Sequence, residues 1–424
     1  MKKCLNHGLN GLKDDTDYPL SGKSEAIKSV QSVNPCKSVI QTGYKQTEVG
    51  VIPEEWKAVK LAEICSMKSG EGITSSSIDE GSKYPCFGGN GLRGFTKRFT
   101  HNGSYALIGR QGALCGNVLG VSGKFFASEH AIVVTALVGT EIHWLTFILS
   151  RMRLNQYSES SAQPGLSVSK LLELRLPFPP LPEQRAIAAA LSDVDALLAK
   201  LDQLIAKKRD LKQATMQQLL TGQTRLPGFS GEWEVKRLGE VATIQRGASP
   251  RPIDSPIWFD ENSLIGWVRI SDVTRSGMFL RETTQRLSTL GIQHSRPVSS
   301  GSLIMSICAT VGRPIITEID TCIHDGFVVF DHLRADKYFM YYVLKFIESE
   351  WTKHGQTGSQ MNLNTGLINH TEIVLPPNKE QSAIAAVLSD MDAEIAVLEA
   401  RCDKTRALKQ GMMQELLTGR IRLV

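Results

Sequence analysis

The sequence lacks the short motifs that carry most enzyme chemistry. It has no Gly-x-x-x-x-Gly-Lys-Ser/Thr phosphate loop, no Gly-x-Ser-x-Gly nucleophile turn and no His-Glu-x-x-His zinc motif. The Asp/Asn-Pro-Pro-Tyr/Phe motif, which holds the target amine in amino-methyltransferases, is also missing. Phe-Gly-Gly-Asn-Gly at residues 87–91 resembles a nucleotide-binding glycine loop, but no βαβ pattern surrounds it, so we interpret it as a turn. The sequence therefore offers no candidate catalytic residue.

Long apolar runs and paired cysteines are absent as well. The nearest approach to a membrane span, residues 131–149, contains Glu141 and His143. The eight cysteines are scattered without a Cys-x-x-Cys pair, which predicts reduced thiols and no bound metal. The net charge of +5 indicates only a mild preference for anionic partners. No signal peptide is evident, and we expect a cytoplasmic protein that does not enter a membrane.

What the sequence does contain is a duplication. Residues 183–226 and 380–423 align without a gap, and 26 of the 44 positions are identical. Both copies are rich in Ala, Leu, Gln and Lys and have no internal proline, and a glycine, Gly222 or Gly419, follows the last apolar residues. The copies predict two long helices, over residues 181–222 and 377–419. Each would extend roughly 60 Å at about 1.5 Å per residue.

Apolar residues in both helices recur at alternating spacings of four and three, the heptad pattern of a coiled coil. Lys208 and Thr405 interrupt this pattern, and Leu211 and Leu408 resume it one position out of phase. Two seams of equal length favour pairing of the helices with each other over separate burial in two cores, and long connections let them lie antiparallel. The predicted seam consists of Ile187, Leu191, Val194, Leu198, Leu201 and Ile205 in the first helix and Ile384, Leu388, Met391, Ile395, Leu398 and Cys402 in the second.

The helices divide the rest of the chain into globular segments. We predict a flexible head over residues 1–43, a first domain over 44–180, a linker over 223–230, a second domain over 231–376 and a tail over 420–424. For the head, a translation start further along the chain is the alternative interpretation. Short β-type runs, many glycines and one apolar helix per domain, over residues 143–154 and 337–351, predict an α+β fold. Two domains of mixed α/β structure are then separated by two long helices that form an antiparallel coiled coil.

The duplication continues into these domains, but only in places. Residues 131–134 match residues 327–330, both of which are apolar and predict strands. Gln-Pro-Gly-Leu-Ser at 163–167 matches Gln-Met-Asn-Leu-Asn at 360–364. Elsewhere the domains differ strongly, so we expect two recognition units, held at a fixed distance, with different targets. The tail repeats the linker sequence, which predicts that the tail lies beside the entrance to the first domain, residues 43–53.

Polar side chains in glycine-loosened stretches are the candidate DNA contacts. Arginine can pair with both acceptors of guanine, and Asn and Gln with both edge atoms of adenine. For any one residue, an exposed surface charge or turn amide is an equally good interpretation. The candidates in the first domain are Asn90, Arg93, Lys97, Arg98, Arg110, Gln111 and Gln163. Those in the second domain are Arg246, Arg251, Arg269, Arg275, Arg313, Gln356, Ser359, Gln360 and Asn362.

With these features the chain resembles the specificity subunit of type I restriction-modification systems. The resemblance covers residues 44–424 and depends on Lys-Gln-Thr-Glu-Val-Gly-Val-Ile-Pro-Glu-Glu-Trp at 45–56. It depends also on Leu-Pro-Phe-Pro-Pro-Leu-Pro-Glu-Gln at 176–184 and Leu-Pro-Pro-Asn-Lys-Glu-Gln at 375–381, which enter the helices, and on Leu-Leu-Thr-Gly at both helix exits. Ile-Ser-Asp-Val-Thr at 270–274 and Ala-Thr-Val-Gly-Arg at 309–313 resemble the target-recognition domains of that family. Asn378-Lys379 departs from the apolar–proline pair that is usual there.

The resemblance implies two target-recognition domains, each of which binds one half of a bipartite double-stranded DNA site. The chain itself is implied to be non-catalytic and to bind no cofactor or metal. Its implied partners are two methyltransferase subunits, which use S-adenosylmethionine to methylate adenine. Restriction subunits, which translocate DNA with ATP and Mg²⁺, can join them to form a type I site-specific deoxyribonuclease and methyltransferase.

Other classes of function remain as alternatives. One is the specificity subunit of a methylation-only or type IIG-like system. Another is a coiled-coil scaffold that binds only protein, which would give no sequence-specific DNA shift in the presence of competitor DNA. A self-contained methyltransferase or nuclease is the third, and the missing motifs argue against it.

Overall fold

The computed structural model describes residues 43–89, 91–112, 114–158, 165–353 and 363–423. Apart from Gly43, the predicted head lies outside the described residues. Two globular domains, each followed by a long helix, account for the rest. The fold is α+β with the two long helices packed together, so the predicted fold class is confirmed.

Domain 1 is built on a six-stranded sheet. Its elements are β1 (Tyr44–Thr47), β2 (Gly50–Pro53), β3 (Lys57–Lys60), α1 (Leu61–Ile64), β4 (Cys65–Ser69), β5 (Tyr84–Gly88), β6 (Gly91–Thr96), β7 (His101–Gly109), β8 (Val118–Ala127), β9 (Ala131–Ala136), α2 (Ile142–Arg151), α3 (Val168–Leu172) and β10 (Arg175–Phe178). Six strands form one sheet in the order β4-β9-β7-β8-β5-β6. The chain enters the domain on β3 and leaves it on β10, and these two strands pair antiparallel.

Domain 2 repeats this plan with two smaller sheets. Its elements, after the first long helix α4 (Leu181–Leu220), are β11 (Glu234–Arg237), α5 (Leu238–Val241), β12 (Thr243–Arg246), β13 (Gly266–Val268), α6 (Ile270–Arg275), β14 (Phe279–Leu280), β15 (Gln285–Arg286), α7 (Thr289–Gln293), β16 (Arg296–Val298), β17 (Leu303–Ser306), β18 (Pro314–Thr317), β19 (Thr321–Ile323), β20 (Phe327–Asp331), α8 (Lys337–Phe346), α9 (Glu348–Lys353), α10 (Thr365–His370) and β21 (Glu372–Leu375). The strand orders are β12-β20-β17-β18-β14 and β15-β13-β19-β16. β11 and β21 close the domain as β3 and β10 close domain 1.

The core of each domain includes its apolar helix. In domain 1, α2 buries Trp144 and Ile148 against sheet residues such as Ile132. In domain 2, α8 buries Phe339 and Tyr342 in the same way. The sequence predicts one helix over residues 337–351, whereas the structure has two, α8 and α9, separated by Ile347.

The second long helix, α11 (Asn378–Leu416), lies antiparallel to α4. Both helices begin after a proline in extended conformation, Pro180 or Pro377, whose carbonyl accepts the first amide hydrogen bonds. Both stop just before a glycine with positive φ, +72° at Gly222 and +73° at Gly419, a conformation that other residues rarely adopt. They contain 40 and 39 residues, close to the predicted bounds.

The predicted seam is buried at different depths along the helices. Leu201, Ile205 and Cys402 form the centre of the helix pair, together with half-buried Leu198 and Leu398, and Ile395 is also buried. Val194 and Met391 are half-buried. Towards the ends, the seam merges with the domains. Ile187 and Leu191 pack into the core of domain 1 together with Leu416 from the other helix, and Ile384 and Leu388 pack into that of domain 2 together with Leu219.

One part of the seam prediction is wrong. Leu211 and Leu408, predicted to resume the seam, are 46% and 60% exposed, whereas Thr405 is buried and Lys208 is half-buried. The original heptad phase therefore continues through polar residues. A lysine can occupy such a position because its stem packs on the neighbouring helix while its ammonium group reaches an acidic partner. Lys208 pairs in this way with Glu394 at 2.6 Å.

Ion pairs across the helices follow an approximate two-fold symmetry. Lys212 pairs with Asp392, and the equivalent Lys409 pairs with Asp195. Arg209 pairs with Glu399 and Arg406 with Asp202 in the same relation. A residue that is later in one helix meets a partner that is earlier in the other, as an antiparallel pair requires.

A buried glutamate joins three chain segments at each end of the helix pair. At one end Glu183 accepts from the indole of Trp56 at 2.8 Å and from the guanidinium of Arg422 at 2.6 Å. The hydrogen bonds that Arg422 donates to Glu183, and then to Glu55, raise the pKa of Arg422. The Tyr44 hydroxyl also donates to the Gly419 carbonyl at 3.0 Å, and Arg422 of the tail donates to Glu55 at 2.8 Å, which confirms the prediction that the tail lies beside the entrance to domain 1.

The other end has the same arrangement. Glu380 accepts from Arg225 at 2.8 and 2.6 Å and from the indole of Trp233 at 3.2 Å. In each case the tryptophan comes from the domain entrance, the glutamate from the start of one helix and the arginine from the segment after the other helix. We call these two clusters, Trp56–Glu183–Arg422 and Trp233–Glu380–Arg225, the junctions.

Candidate nucleic-acid interface

Several glycine-containing loops of domain 1 meet at one end of its sheet. The Gly70 amide donates to the Ala131 carbonyl, and the Arg110 amide donates to the His130 carbonyl, both at 2.9 Å. A Cβ atom at Gly70 would lie 2.3 Å from the Ala127 carbonyl oxygen, so only glycine allows this close approach. We call this surface, formed by Gly70, Gly89, Arg110 and residues 128–130, loop edge 1.

Loop edge 1 gathers several of the sequence-predicted DNA contacts. Gln111 pairs with Gly165, so the first described residue after Gln163 lies at this surface. A Cβ atom at Gly88 would lie 2.6 Å from Cδ of Arg93 and 3.4 Å from the hydroxyl of Ser128, so Arg93 lies here too. Asn90 and Gln163 themselves are outside the described residues, although Gly89, next to Asn90, belongs to loop edge 1.

The two remaining candidates of domain 1 are placed differently. Arg98 forms an exposed ion pair with Glu71 at 2.8 Å, and its guanidinium lies 4.7 Å from the ring centre of Phe126. Lys97 follows the end of β6 that is remote from loop edge 1, since Gly91 at the other end pairs with Gly88. There its charge helps to lower the pKa of Asp79, after the hydrogen bonds from Ser82.

Domain 2 has a corresponding surface. The Gly247 amide donates to the Phe327 carbonyl at 2.9 Å, and the Ile307 amide donates to the Gly326 carbonyl at 2.8 Å. A Cβ atom at Gly247 would lie 2.1 Å from the His324 carbonyl oxygen. We call this surface, formed by Gly247, Ile307 and residues 324–326, loop edge 2. The hydrogen bonds match those of loop edge 1 one for one.

Three arginines that the sequence predicts as DNA contacts, Arg246, Arg251 and Arg269, line a cavity of about 640 Å³ at loop edge 2. The Nε group of Arg246 donates to the backbone carbonyl of Asp325 at 2.6 Å, and Arg251 pairs with the Asp325 carboxylate at 3.2 Å. The side chain of Arg251 is 69% exposed, so it is available to a ligand. These arginines can offer several N–H donors to phosphates or to base edges.

Two titratable residues, Asp325 and His324, line this cavity beside the arginines. Partial burial raises the pKa of Asp325, but the Ser249 hydroxyl and the Arg251 guanidinium together lower it more, so the carboxylate is ionised. Burial, and then the charge of Arg269, lower the pKa of His324 to about 4, so its ring is uncharged at neutral pH. Its Nδ1 accepts from the Gly326 amide at 2.9 Å, which leaves the ring proton on Nε2.

The other predicted residues of domain 2 do not line this cavity. Arg275 pairs with the buried Asp272 at 2.7 Å and contacts Thr284, which are contacts inside the domain. Arg313 precedes β18 and lies beside a groove next to the helix pair, where it donates to the Ser276 carbonyl at 3.4 Å.

Gln356, Ser359, Gln360 and Asn362 lie outside the described residues. Their described neighbour Leu363 donates from its amide to the Ile307 carbonyl at 2.9 Å. The Leu166 amide donates to the Arg110 carbonyl in the same way at loop edge 1. Both glutamine-containing stretches thus end at a loop edge, as their alignment in sequence predicts.

Sequence reasoning missed two acidic residues, Glu129 and Asp325, each in the turn before a matched apolar strand, β9 or β20. A signal was present, because those strands align and the carboxylates both lie two residues before them. Within the described ranges, no helix is long and apolar enough to cross a membrane. The described His, Cys, Asp and Glu residues likewise form no group of three or more that could hold a metal ion.

Comparisons with known proteins match both halves of this architecture. The family model of the type I restriction modification DNA specificity domain matches residues 53–208 and, a second time, residues 230–404. The specificity subunit of type I restriction enzyme EcoprrI from Escherichia coli is 48% identical over 158 residues, which cover 36% of this chain and 38% of that protein. The MjaVIII specificity subunit from Methanocaldococcus jannaschii is 24% identical over 409 residues, or 88% of this chain and 94% of that protein.

The fold is also found in a solved structure. The crystal structure of the S subunit of a type I restriction-modification system from M. genitalium superposes with a TM-score of 0.60. The superposition covers 85% of this chain and 96% of the other at 17% sequence identity. At this identity the likeness concerns the fold alone.

Proposed function

The chain belongs to the family of type I restriction-modification specificity subunits, and on that premise we propose that loop edges 1 and 2 recognise the two halves of a bipartite double-stranded DNA site. The observation that carries this proposal is the pair of equivalent loop edges, one on each domain, with different side chains on the same backbone hydrogen bonds. A scaffold that binds only protein would not need two such surfaces, and the family match to both domains does not favour it.

The chemistry of the loop edges suits base and phosphate contacts. Arg93 and Gln111 lie beside loop edge 1, and Arg246, Arg251 and Arg269 line the cavity of loop edge 2. Arginine pairs with the two acceptors of guanine and with phosphates, and glutamine with adenine. Because the side chains differ between the two surfaces, the half-sites should differ in sequence.

The helix pair fixes the distance between the half-sites. A 40-residue helix is about 60 Å long, and both of its ends are held in domain cores and by the junctions. The domains therefore cannot slide along the helices, and the number of base pairs between the half-sites should be constant.

We propose that two methyltransferase subunits bind the exposed faces of the helix pair. Leu197, Leu204 and Leu211 recur every seven residues on α4 and are 38%, 39% and 46% exposed, and Leu408, the equivalent of Leu211, is 60% exposed on α11. Apolar side chains at heptad spacing on a helix surface fit a further helix of a partner. S-adenosylmethionine would be bound by these partners, and ATP and Mg²⁺ by restriction subunits if the operon encodes them. This chain would act without a cofactor of its own, in the cytoplasm.

A reconstitution experiment tests whether this chain only recognises DNA and the methyltransferase subunit carries out the reaction. The purified chain alone should neither methylate nor cut DNA, whereas addition of its cognate methyltransferase subunit should produce methylation at one bipartite sequence. Methyl transfer by the pure chain from labelled S-adenosylmethionine would contradict the proposal, as would a complex that binds all sequences equally well.

A length variant tests the fixed spacing. Seven residues inserted after Leu201 and seven after Leu398 keep the seam in phase and lengthen each helix by roughly 10 Å. Methylome sequencing should then give the same half-sites with a spacer up to about three base pairs longer, at about 3.4 Å per base pair. Weaker binding is expected, because three base pairs also rotate one half-site by roughly 100°. Four-residue insertions at the same points, which break the seam phase, are the matched control. An unchanged spacer in an active heptad variant would contradict this role of the helices.

A further inference from the structure

Two carboxylates occupy the same position in the two loop edges. Glu129 is the middle residue of the turn between β8 and β9, and Asp325 is the middle residue of the turn between β19 and β20. The strand after each turn closes it with the same hydrogen bond, Ala131 to Ser128 at 2.9 Å and Phe327 to His324 at 3.0 Å. Because the loops around the turns are equivalent as well, the two side chains leave the backbone at equivalent places.

The local partners of the two carboxylates are different. Asp325 accepts from the Ser249 hydroxyl and pairs with Arg251. Glu129 lies 3.2 Å from Nε2 of His130, and its Oε2 atom is buried without a hydrogen-bond partner among the described residues. If the two carboxylates had the same structural role, they would make the same contacts. They share only their position in the loop edge.

An acidic side chain at a DNA-facing surface needs a positive reason. DNA carries a charge on every phosphate, so a carboxylate that faces the backbone weakens binding. A carboxylate that faces a base edge is favourable only opposite a hydrogen-bond donor, and in the major groove the donors are the exocyclic amino groups of cytosine and adenine. The arginines beside Asp325 supply donors for the neighbouring acceptors, and the cavity of about 640 Å³ has room for a base edge.

We propose that Glu129 and Asp325 are specificity-determining residues, each of which accepts a hydrogen bond from the exocyclic amino group of a cytosine or adenine in its own half-site. The side chains of Glu129 and Asp325 are 37% and 41% exposed, so each can reach a ligand without unfolding its turn. This inference rests on the proposed recognition of DNA by the loop edges.

The test uses the full chain in complex with its methyltransferase subunits. Methylome sequencing first defines the half-sites. Binding is then measured to duplexes in which one amino group at a time is deleted, with 2-pyrimidinone in place of cytosine or purine in place of adenine. For the unmodified protein, one deletion in each half-site should weaken binding about tenfold, the value of one hydrogen bond to a charged group. In D325A, which removes the acceptor, that penalty should disappear in one half-site only, and in E129A in the other half-site only.

A matched variant separates base recognition from loop positioning. S249A removes a hydrogen bond to Asp325 but keeps the carboxylate, so it should retain the penalty for the deleted amino group. Loss of that penalty in S249A, an equal penalty in D325A and the unmodified protein, or tolerance of every deletion by the unmodified protein would each overturn the inference. The deletion scan alone decides the question should a variant fail to fold. A complex that prefers no sequence at all would instead contradict the proposed function.

Discussion

The junctions and the loop edges occur once in each half of the molecule, but the two junctions share their side chains, whereas the two loop edges do not. At the junctions the same three residue types, Trp, Glu and Arg, make the same contacts at both ends of the helix pair. At the loop edges only the backbone hydrogen bonds recur, and the side chains differ at almost every position. Side-chain contacts hold the junctions together. The loops of each loop edge are instead joined by backbone hydrogen bonds, which leaves their side chains free to change.

This difference has a physical reason. The junction glutamates are at most 1% exposed, so loss of the arginine leaves a buried charge unpaired, and loss of the tryptophan removes one of the donors to that charge. At loop edge 2, Arg251 is 69% exposed and its partner Asp325 is 41% exposed, so replacement of Arg251 leaves no buried group unsatisfied. Four predictions test this contrast, in order of decreasing effect.

Glu183→Ala should destabilise the fold by about 3 kcal/mol, because it leaves the buried indole of Trp56 without an acceptor and Arg422 with only exposed Glu55. If the junctions are equivalent, Glu380→Ala should cost a similar amount. Urea unfolding of the two variants measures this. Glu55→Ala, which removes an exposed partner of Arg422, is the control and should change stability little. A large effect of only one glutamate substitution would break the equivalence.

Arg251→Ala should leave stability nearly unchanged and weaken DNA binding by about 1–3 kcal/mol if the residue pairs with a base. The loss should concern one letter of the half-site read by domain 2. Arg93→Ala should do the same in the other half-site. Arg281→Ala is the control, since Arg281 is 73% exposed and pairs with Glu318 away from loop edge 2. Uniform weakening across all sequences would identify Arg251 as a phosphate contact instead.

The sequence predicts the two long helices better than it predicts the loop edges. The long helices follow from a repeated apolar period and from helix-end signals, which are local. The seam beyond Lys208 could not be read locally, because a lysine is acceptable there only opposite Glu394 on the other helix. Arg275 is predicted as a DNA contact, but the sequence also offers Asp272, three residues earlier, as an ion-pair partner, and the structure contains that pair. The placement of Glu129 and Asp325 depends on contacts between loops far apart in the chain.

Acidic pH should affect the two turns differently, because His324 in one corresponds to Ser128 in the other. The folded-state pKa of His324, about 4, is below its usual value of 6.5, so the unfolded chain binds a proton more readily. The contribution of neutral His324 to the free energy of unfolding is present above about pH 6.5 and is lost as the pH falls towards 4. Between pH 7.5 and 5.5 the loss should be on the order of 1 kcal/mol. His324→Ser, which copies the other turn, should remove this part of the pH dependence of the urea midpoint. An unchanged pH profile would contradict the assignment.

The smallest difference concerns the equivalent ion pairs Lys212–Asp392 and Lys409–Asp195. Asp392 also accepts from the Tyr342 hydroxyl at 2.8 Å, whereas the corresponding residue of α2 is Phe147, which has no hydroxyl. Asp392→Ala should therefore cost about 0.5 kcal/mol more than Asp195→Ala, since the Tyr342 hydroxyl keeps only the bond to Ser389 at 3.2 Å. Tyr342→Phe makes the two ends alike, so in that background the two aspartate substitutions should have equal effects on the free energy of unfolding. If the difference survives in the Tyr342→Phe background, the hydroxyl is not its cause, and the asymmetry must come from the ion pairs themselves.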